Sequence, residues 1–197
     1  MKNEFAELPH IPLQPGTLFE HPPTNPELVH LDSPAIEVMT DFRYVKPITV
    51  TPNAPIDEAL DKMKIYGVRL LLVTDEAGQI AGLITARDIQ GEAPIQVVND
   101  ERVPRSNITV ARIMSRPAAI AVLDMISVRG AEVGHIIEIL NHLQRQHILV
   151  VETDEHSGNQ RVRGLFSLTQ ISKQLPDELQ ERYPSTHTLA QIVRDVT

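Results

Sequence analysis

Apolar positions in this chain alternate between a helical and a strand-like spacing, and the whole pattern runs twice. Ile56, Ala59, Leu60 and Met63 fall at i, i+3, i+4 and i+7, with Asp57 and Glu58 early and Gly67 as a stop, which predicts an amphipathic helix. Val133, Ile136, Ile137 and Leu140 repeat that stripe. Each helix leads to an unbroken apolar run, Leu70–Val73 or Ile148–Val151, as expected of a strand covered on both faces. Turn residues follow, Asp75 to Gln79 and the longer Thr153 to Asn159. Another strand then carries the strings Gly-Leu-Ile-Thr-Ala-Arg-Asp-Ile (82–89) and Gly-Leu-Phe-Ser-Leu-Thr-Gln-Ile (164–171), and a short helix closes each unit.

The upstream flanks match as well. Ala35–Thr40 and Val110–Ser115 each predict a short helical turn ending in Met and a hydroxyl residue, followed by a β-prone segment, Ile48–Thr51 or Ile120–Leu123. The predicted order is therefore β-α-β-β-α, twice, an α/β (α+β) fold in which one structural unit is used two times. The units span 34–100 and 101–175, with a polar linker around Asn99–Asn107. A proline-rich arm (1–33) precedes them and a helical tail (176–197) follows. Seven of the 15 prolines fall within the first 34 residues, so the arm reads as extended, either lying along the body through Ile11, Leu13, Leu18 and Phe19 or disordered. In the tail, Leu189, Ile192 and Val193 are expected to pack on the body.

Composition narrows the function classes. No stretch approaches a membrane span, and the first residues carry no apolar run of the signal-peptide kind, so a cytoplasmic location is expected. There is no cysteine, which removes disulfides, thiolate nucleophiles and zinc–thiolate sites. The net charge of −8 lies entirely in residues 1–100, and the second half is neutral. A nucleic-acid partner is not expected without a basic field, although an arginine-rich stretch from Arg102 to Arg163 leaves a local phosphate contact open. His135, Glu138 and His142 share a helix face at metal-like spacing, but an exposed polar face gives the same pattern, and no metal is expected there. No nucleophile elbow, phosphate loop or paired catalytic carboxylates appear, so an enzyme is not expected.

The two strings carry the chemistry. A strand ending at Thr85 and turning into a helix directs free backbone N–H groups at an anion, and the Asp88 carboxylate can accept from both hydroxyls of a ribose. Thr85 and Asp88 also have the spacing of a helix capping box, which needs no ligand. Ser167 and Gln170 fit that box better still, and a neutral amide is the poorer diol acceptor, so a cap is the favoured reading of the second string.

These doubled features resemble a tandem CBS-domain module, the type named after cystathionine β-synthase. The residues that carry the resemblance are Glu37-Val-Met-Thr40, Tyr66 to Asp75 and Gly82–Ile89, with Ile113-Met-Ser115, His147–Val151 and Gly164–Ile171 as second copies. The resemblance implies two repeats packed pseudo-symmetrically around small mixed sheets, with two clefts for adenosyl ligands and a tendency to dimerise. It implies a main cleft formed by Ile84, Thr85, Arg87 and Asp88, with Ser115, Ile120, Ala121 and His147 from the partner repeat. A weaker second cleft would use Phe166, Ser167 and Gln170 with Thr40, Ile48, Thr49 and Arg69. Arg69 and His147 would occupy matching positions before the buried strand, as phosphate contacts.

The expected function is a stand-alone regulatory module with no resident cofactor. It would sense AMP, ADP, ATP, S-adenosylmethionine or a related ligand and act through an unidentified regulated protein or through its own homodimer. The alternatives are a ligand-free dimerisation scaffold and, less favoured, a metal-dependent enzyme using the His135, Glu138 and His142 face.

Overall fold

Two apolar runs too regular to face water organise the molecule. Leu70–Thr74 and His147–Thr153 form the buried middle strands of two separate sheets, one for each repeat. The computed structural model describes residues 28–154, 156–176 and 179–180. The packing expected of Ile11, Leu13, Leu18 and Phe19 in the arm, and of Leu189, Ile192 and Val193 in the tail, lies outside the described residues.

In chain order the strands are β1 (Thr40–Asp41), β2 (Thr49–Val50), β3 (Leu70–Thr74), β4 (Ile80–Thr85), β5 (Val122–Asp124), β6 (His147–Thr153) and β7 (Gln160–Ser167). The helices are α1 (Ile56–Tyr66), α2 (Ala86–Gln90), α3 (Ala93–Glu101), α4 (Val110–Ile113), α5 (Met125–Arg129), α6 (Val133–His142) and α7 (Leu168–Gln174). The first sheet has the order β2-β3-β4 and the second β1-β7-β6-β5, each mixing a parallel pair with antiparallel ones. The fold is the mixed α/β architecture expected. Helix α1 buries Ile56, Ala59 and Met63, and ends at Gly67 with φ 64°, a left-handed cap that suits glycine. Helix α6 buries Val133, Ile136, Ile137 and Leu140. Among the described residues no helix is long and apolar enough to cross a membrane.

The predicted linker is partly helical, since Asn99–Glu101 close α3. The second repeat also inserts α5 between β5 and α6, without a counterpart before α1. The strand expected at Ile120–Leu123 begins at Val122 instead, because Pro117 opens a tight 3-10 turn over Pro117–Ala119 that takes up the preceding residues.

The two lead segments are exchanged. Residues 34–41 belong by sequence to the first repeat, yet β1 pairs with β7, and Ala35, Val38 and Met39 fill the core of the second repeat. Reciprocally, Ser115 bridges Leu83 on β4, and Ile108 and Val110 lie in the core of the first repeat. The backbone bonds match in the two halves: Ala35 N–H donates to Ala131 C=O (2.8 Å) as Val110 N–H does to Ala54 C=O (2.9 Å).

The first glycine of each repeated string is explained by this exchange. A Cβ on Gly82 would stand 2.4 Å from the Ser115 carbonyl oxygen, and one on Gly164 would stand 2.5 Å from that of Thr40. Only a residue without Cβ lets the lead segment lie so close on the strand. The β1 side is fixed further by a buried ion pair between Arg163 and Asp41, with Glu152 nearby. Between the sheets, Leu70, Leu72 and Leu149 form a third apolar cluster with Phe42, Ile80, Leu83, Ile120, Val162 and Leu165. Phe42, Leu70, Leu72 and Leu165 of that cluster also face a cavity walled by both repeats.

Candidate ligand cavity between the repeats

The two strings end in different local chemistry. At the end of β4, Thr85 and Asp88 close a complete capping box. The Thr85 N–H and its hydroxyl both donate to Asp88 Oδ2, at 2.8 and 2.7 Å, and the Asp88 N–H donates to Thr85 Oγ1 at 3.3 Å. The acid is thus held by the start of its own helix, and the remaining oxygen, Oδ1, stays outside the cap. At the end of β7, Ser167 caps α7 without any side-chain hydrogen bond. Gln170 is exposed, and among the described residues its amide has no hydrogen-bond partner. The box expected on the second string is therefore not formed. An amide reaching back to an N-cap gains only a neutral hydrogen bond, whereas the Asp88 carboxylate gains charge-assisted ones.

The unengaged side chains open onto a cavity of about 1000 Å³ on the Gln170 side. Its walls come from both repeats: the lead segment from Glu37 to Phe42, the loop from Tyr44 to Ile48, the stretch from Tyr66 to Leu70, and Leu72, His147, Leu165, Ser167, Thr169, Gln170, Lys173 and Gln174. The volume lies at the upper end of the roughly 300–1,000 Å³ typical of small-molecule sites. Three cations, Lys46, Arg69 and Lys173, line it, and among the described residues none has a carboxylate within ion-pairing distance. Asp41 is already held by Arg163, which leaves Glu37 as the uncommitted acid in the wall. Gln174 adds a buried Oε1 with no partner among the described residues. The cavity is therefore amphipathic, apolar at its floor and electropositive on its flanks.

Of the residues expected in the weaker cleft, Thr40, Ile48, Arg69, Ser167 and Gln170 line this cavity. Thr49 sits beside them on β2, and Phe166 is fully buried in the core of the second repeat. Of those expected around Asp88, Ser115 lies on β4 through its bridge to Leu83, and Ile120 joins the inter-sheet cluster. Ile84 is fully buried in the first core, while Arg87 and Ala121 are exposed. His147 lines the Gln170-side cavity together with Arg69.

The strand register also changes the expected equivalence of Arg69 and His147. His147 pairs with Ser167, and it is Leu70 that pairs with Thr85 in the other sheet. The Ala86 N–H donates to Arg69 C=O and the Leu168 N–H to Gln146 C=O, so Gln146 is the counterpart of Arg69. A one-residue step on a strand moves a side chain to the other face. His147 thus occupies the place of an apolar inter-sheet residue. Burial, and secondarily the positive charge of Arg69, lower its pKa from 6.5 to about 4.

On the exposed face of α6, His135 Nδ1 accepts from the Glu132 N–H at 3.1 Å as part of that helix's cap. Among the described residues no group of three or more His, Asp or Glu side chains is placed to hold a metal ion.

Comparison with known proteins places this geometry. The family model for the CBS domain matches residues 27–93. The match falls on the first of the two repeated units. Among solved structures the chain is similar to an uncharacterized conserved protein from Pyrococcus horikoshii, with 23% identity over 81% of this chain and 99% of that one, at a TM-score of 0.52. It is also similar to the CBS-domain containing protein ATU1752 from Agrobacterium tumefaciens, with 21% identity over 66% of this chain and 84% of that one, at a TM-score of 0.49. A third, the CBS domain pair of protein MJ0100, was solved in complex with 5-methylthioadenosine and S-adenosyl-L-methionine; it shares 20% identity over 72% of this chain and 94% of its own, at a TM-score of 0.49. These likenesses are likenesses of fold. A search of curated proteins finds no match.

Sequence reasoning missed Lys46 and Lys173 as cavity residues. Lys173 was legible in principle, since it stands three residues beyond Gln170 and shares its helix face. Lys46 was not, because a loop residue's reach depends on where β1 is docked.

Proposed function

We propose that this CBS pair is a regulatory sensor of an adenosyl ligand, bound in the cavity on the Gln170 side and read out as a change in the relative arrangement of the two repeats. The observation that carries the reading is the cavity itself: both repeats wall it, and three unpaired cations flank an apolar floor. A ligand seated there touches α7 on one side and the segment from Tyr66 to Leu70 on the other, so it stabilises whichever repeat arrangement gives it the most contacts. That differential affinity is what a regulated protein, or a second copy of this chain, would detect. The Asp88 cleft is a second, weaker site in this reading, since Asp88 Oδ1 remains available to a ribose hydroxyl while Oδ2 serves the cap.

Calorimetry on the whole chain with AMP, ADP, ATP and S-adenosylmethionine tests the reading. Saturable binding is expected, with a melting temperature that rises with ligand concentration by mass action. Arg69→Ala should weaken binding. If none of these compounds binds or shifts the melting temperature, the sensor reading is lost and the ligand-free scaffold takes its place.

A further inference from the structure

Among the positions at which the segments closing the two units differ, 169, 170 and 173 face the cavity in the second copy. Where the first unit has Arg87, Asp88 and Gly91, the second has Thr169, Gln170 and Lys173. Gln170 and Lys173 are three residues apart on α7, hence neighbours on one helix face. Neither has a partner among the described residues. The exchange reverses the chemistry of the position. An ionised carboxylate only accepts, which suits the two hydroxyls of an unmodified ribose, whereas a carboxamide and an ammonium both donate. In dinucleotide-binding folds the same substitution, acid removed and cation brought near, is what turns recognition of a free ribose hydroxyl into recognition of a ribose phosphate.

The positive charge is also divided. Lys46 and Arg69 stand on the segments leading into β2 and β3, in one wall, and Lys173 stands on α7 in another. A ligand with all its charge at one end would satisfy one wall and leave the other cation unpaired. We infer that the cavity selects an adenosine nucleotide phosphorylated at two separate places, on the 5′ oxygen and on a ribose hydroxyl, with Gln170 and Lys173 reading the ribose phosphate and Arg69 and Lys46 the 5′ phosphate. This inference rests on the sensor reading and specifies the ligand class for it.

The deciding probe is a pair of isomers. Adenosine 3′,5′-bisphosphate and ADP are isomers that differ in where the second phosphate sits. The bisphosphate has two monoester phosphates and so carries about one more negative charge at neutral pH, which makes ATP, of about the same charge but with every phosphate at one end, the control for overall charge attraction. Adenosine 2′,5′-bisphosphate shows which ribose hydroxyl is read. Calorimetry on the whole chain is expected to show one of the bisphosphates binding about tenfold or more tightly than ADP, the size of one charge-assisted hydrogen bond gained. Lys173→Ala should bring the two affinities within about twofold while leaving the melting temperature of the free protein unchanged, since the side chain is exposed. Gln170→Asp should shift preference toward ADP. If ADP or ATP binds wild type as tightly as both bisphosphates, the inference is overturned while the sensor reading stands. If none of the four binds, both are overturned.

Discussion

The ends of β4 and β7 show how one local motif is put to two uses. After β4, Thr85 and Asp88 satisfy each other's side chains and backbone N–H groups, so of the Asp88 carboxylate only Oδ1 is left for a ligand. After β7, the same positions hold Ser167 and Gln170, which leave α7 without a side-chain cap and line a cavity. The helix that is better capped is the one less open to a guest. Polar groups at a domain cleft either stabilise the fold or stay available to bind, and on the proposed function the two copies have divided those roles.

The comparison breaks most severely if the shared frame is removed. Gly82 and Gly164 both lie under an exchanged lead segment, so Gly82→Ala and Gly164→Ala should each be strongly destabilising, by about 3 kcal/mol or more, because the new Cβ meets a backbone carbonyl that cannot rotate away. Chemical denaturation measures this directly. The informative result is near equality of the two effects. A tolerated Gly164→Ala beside a damaging Gly82→Ala would show that β1 can detach from β7 without loss of the fold.

His147 marks the next difference, since its counterpart in the first sheet is Leu70. Its folded pKa of about 4 lies below the ordinary value of 6.5, so the unfolded chain binds the proton more readily. Stability should therefore be fully present above about pH 6.5, fall as pH drops from there toward 4, and change no further below, with a total loss on the order of 3 kcal/mol. Arg69 opposes the added charge; Lys46 and Lys173 also line the cavity, and Glu37 is the uncommitted acid in its wall. His147→Leu should remove this contribution from the pH profile of denaturation midpoints. An unchanged slope in that variant would place the proton uptake elsewhere.

Much of this was readable from residue order. The stripes Ile56–Met63 and Val133–Leu140, and the runs at Leu70 and Ile148, identify helices and middle strands because burial imposes a period on sequence. Partner choice imposes no such period. Ala35, Val38 and Met39 read as part of the repeat that follows them, and nothing in their spacing says that they dock on the other one. The strand register likewise turns on one residue, which separated His147 from Arg69 although both precede an apolar run. The cavity depended on these long-range choices, so its members from separate segments, Lys46 and Lys173 among them, were the least legible part.

A smaller effect tests the division of roles itself. Asp88→Ala deletes the acceptor of two cap bonds and should cost about 1–2 kcal/mol, a fall in melting temperature of roughly 3–6 °C for a chain of this size. A matching loss in Thr85→Ala, and little further loss in the double variant, would confirm that the pair acts as one unit.

The smallest effect on stability is expected where the effect on binding is greatest. Gln170 makes no hydrogen bond among the described residues and is exposed, so Gln170→Ala should leave the denaturation midpoint within about 0.5 kcal/mol of wild type. Set beside Asp88→Ala, it forms a crossed design with stability and ligand affinity as separate readouts. Asp88→Ala should lower the first with a minor effect on the second, and Gln170→Ala should do the reverse. The division fails if Gln170→Ala destabilises the free protein as much as Asp88→Ala does, for then the amide would be a structural cap in solution and the second string would be no more open than the first.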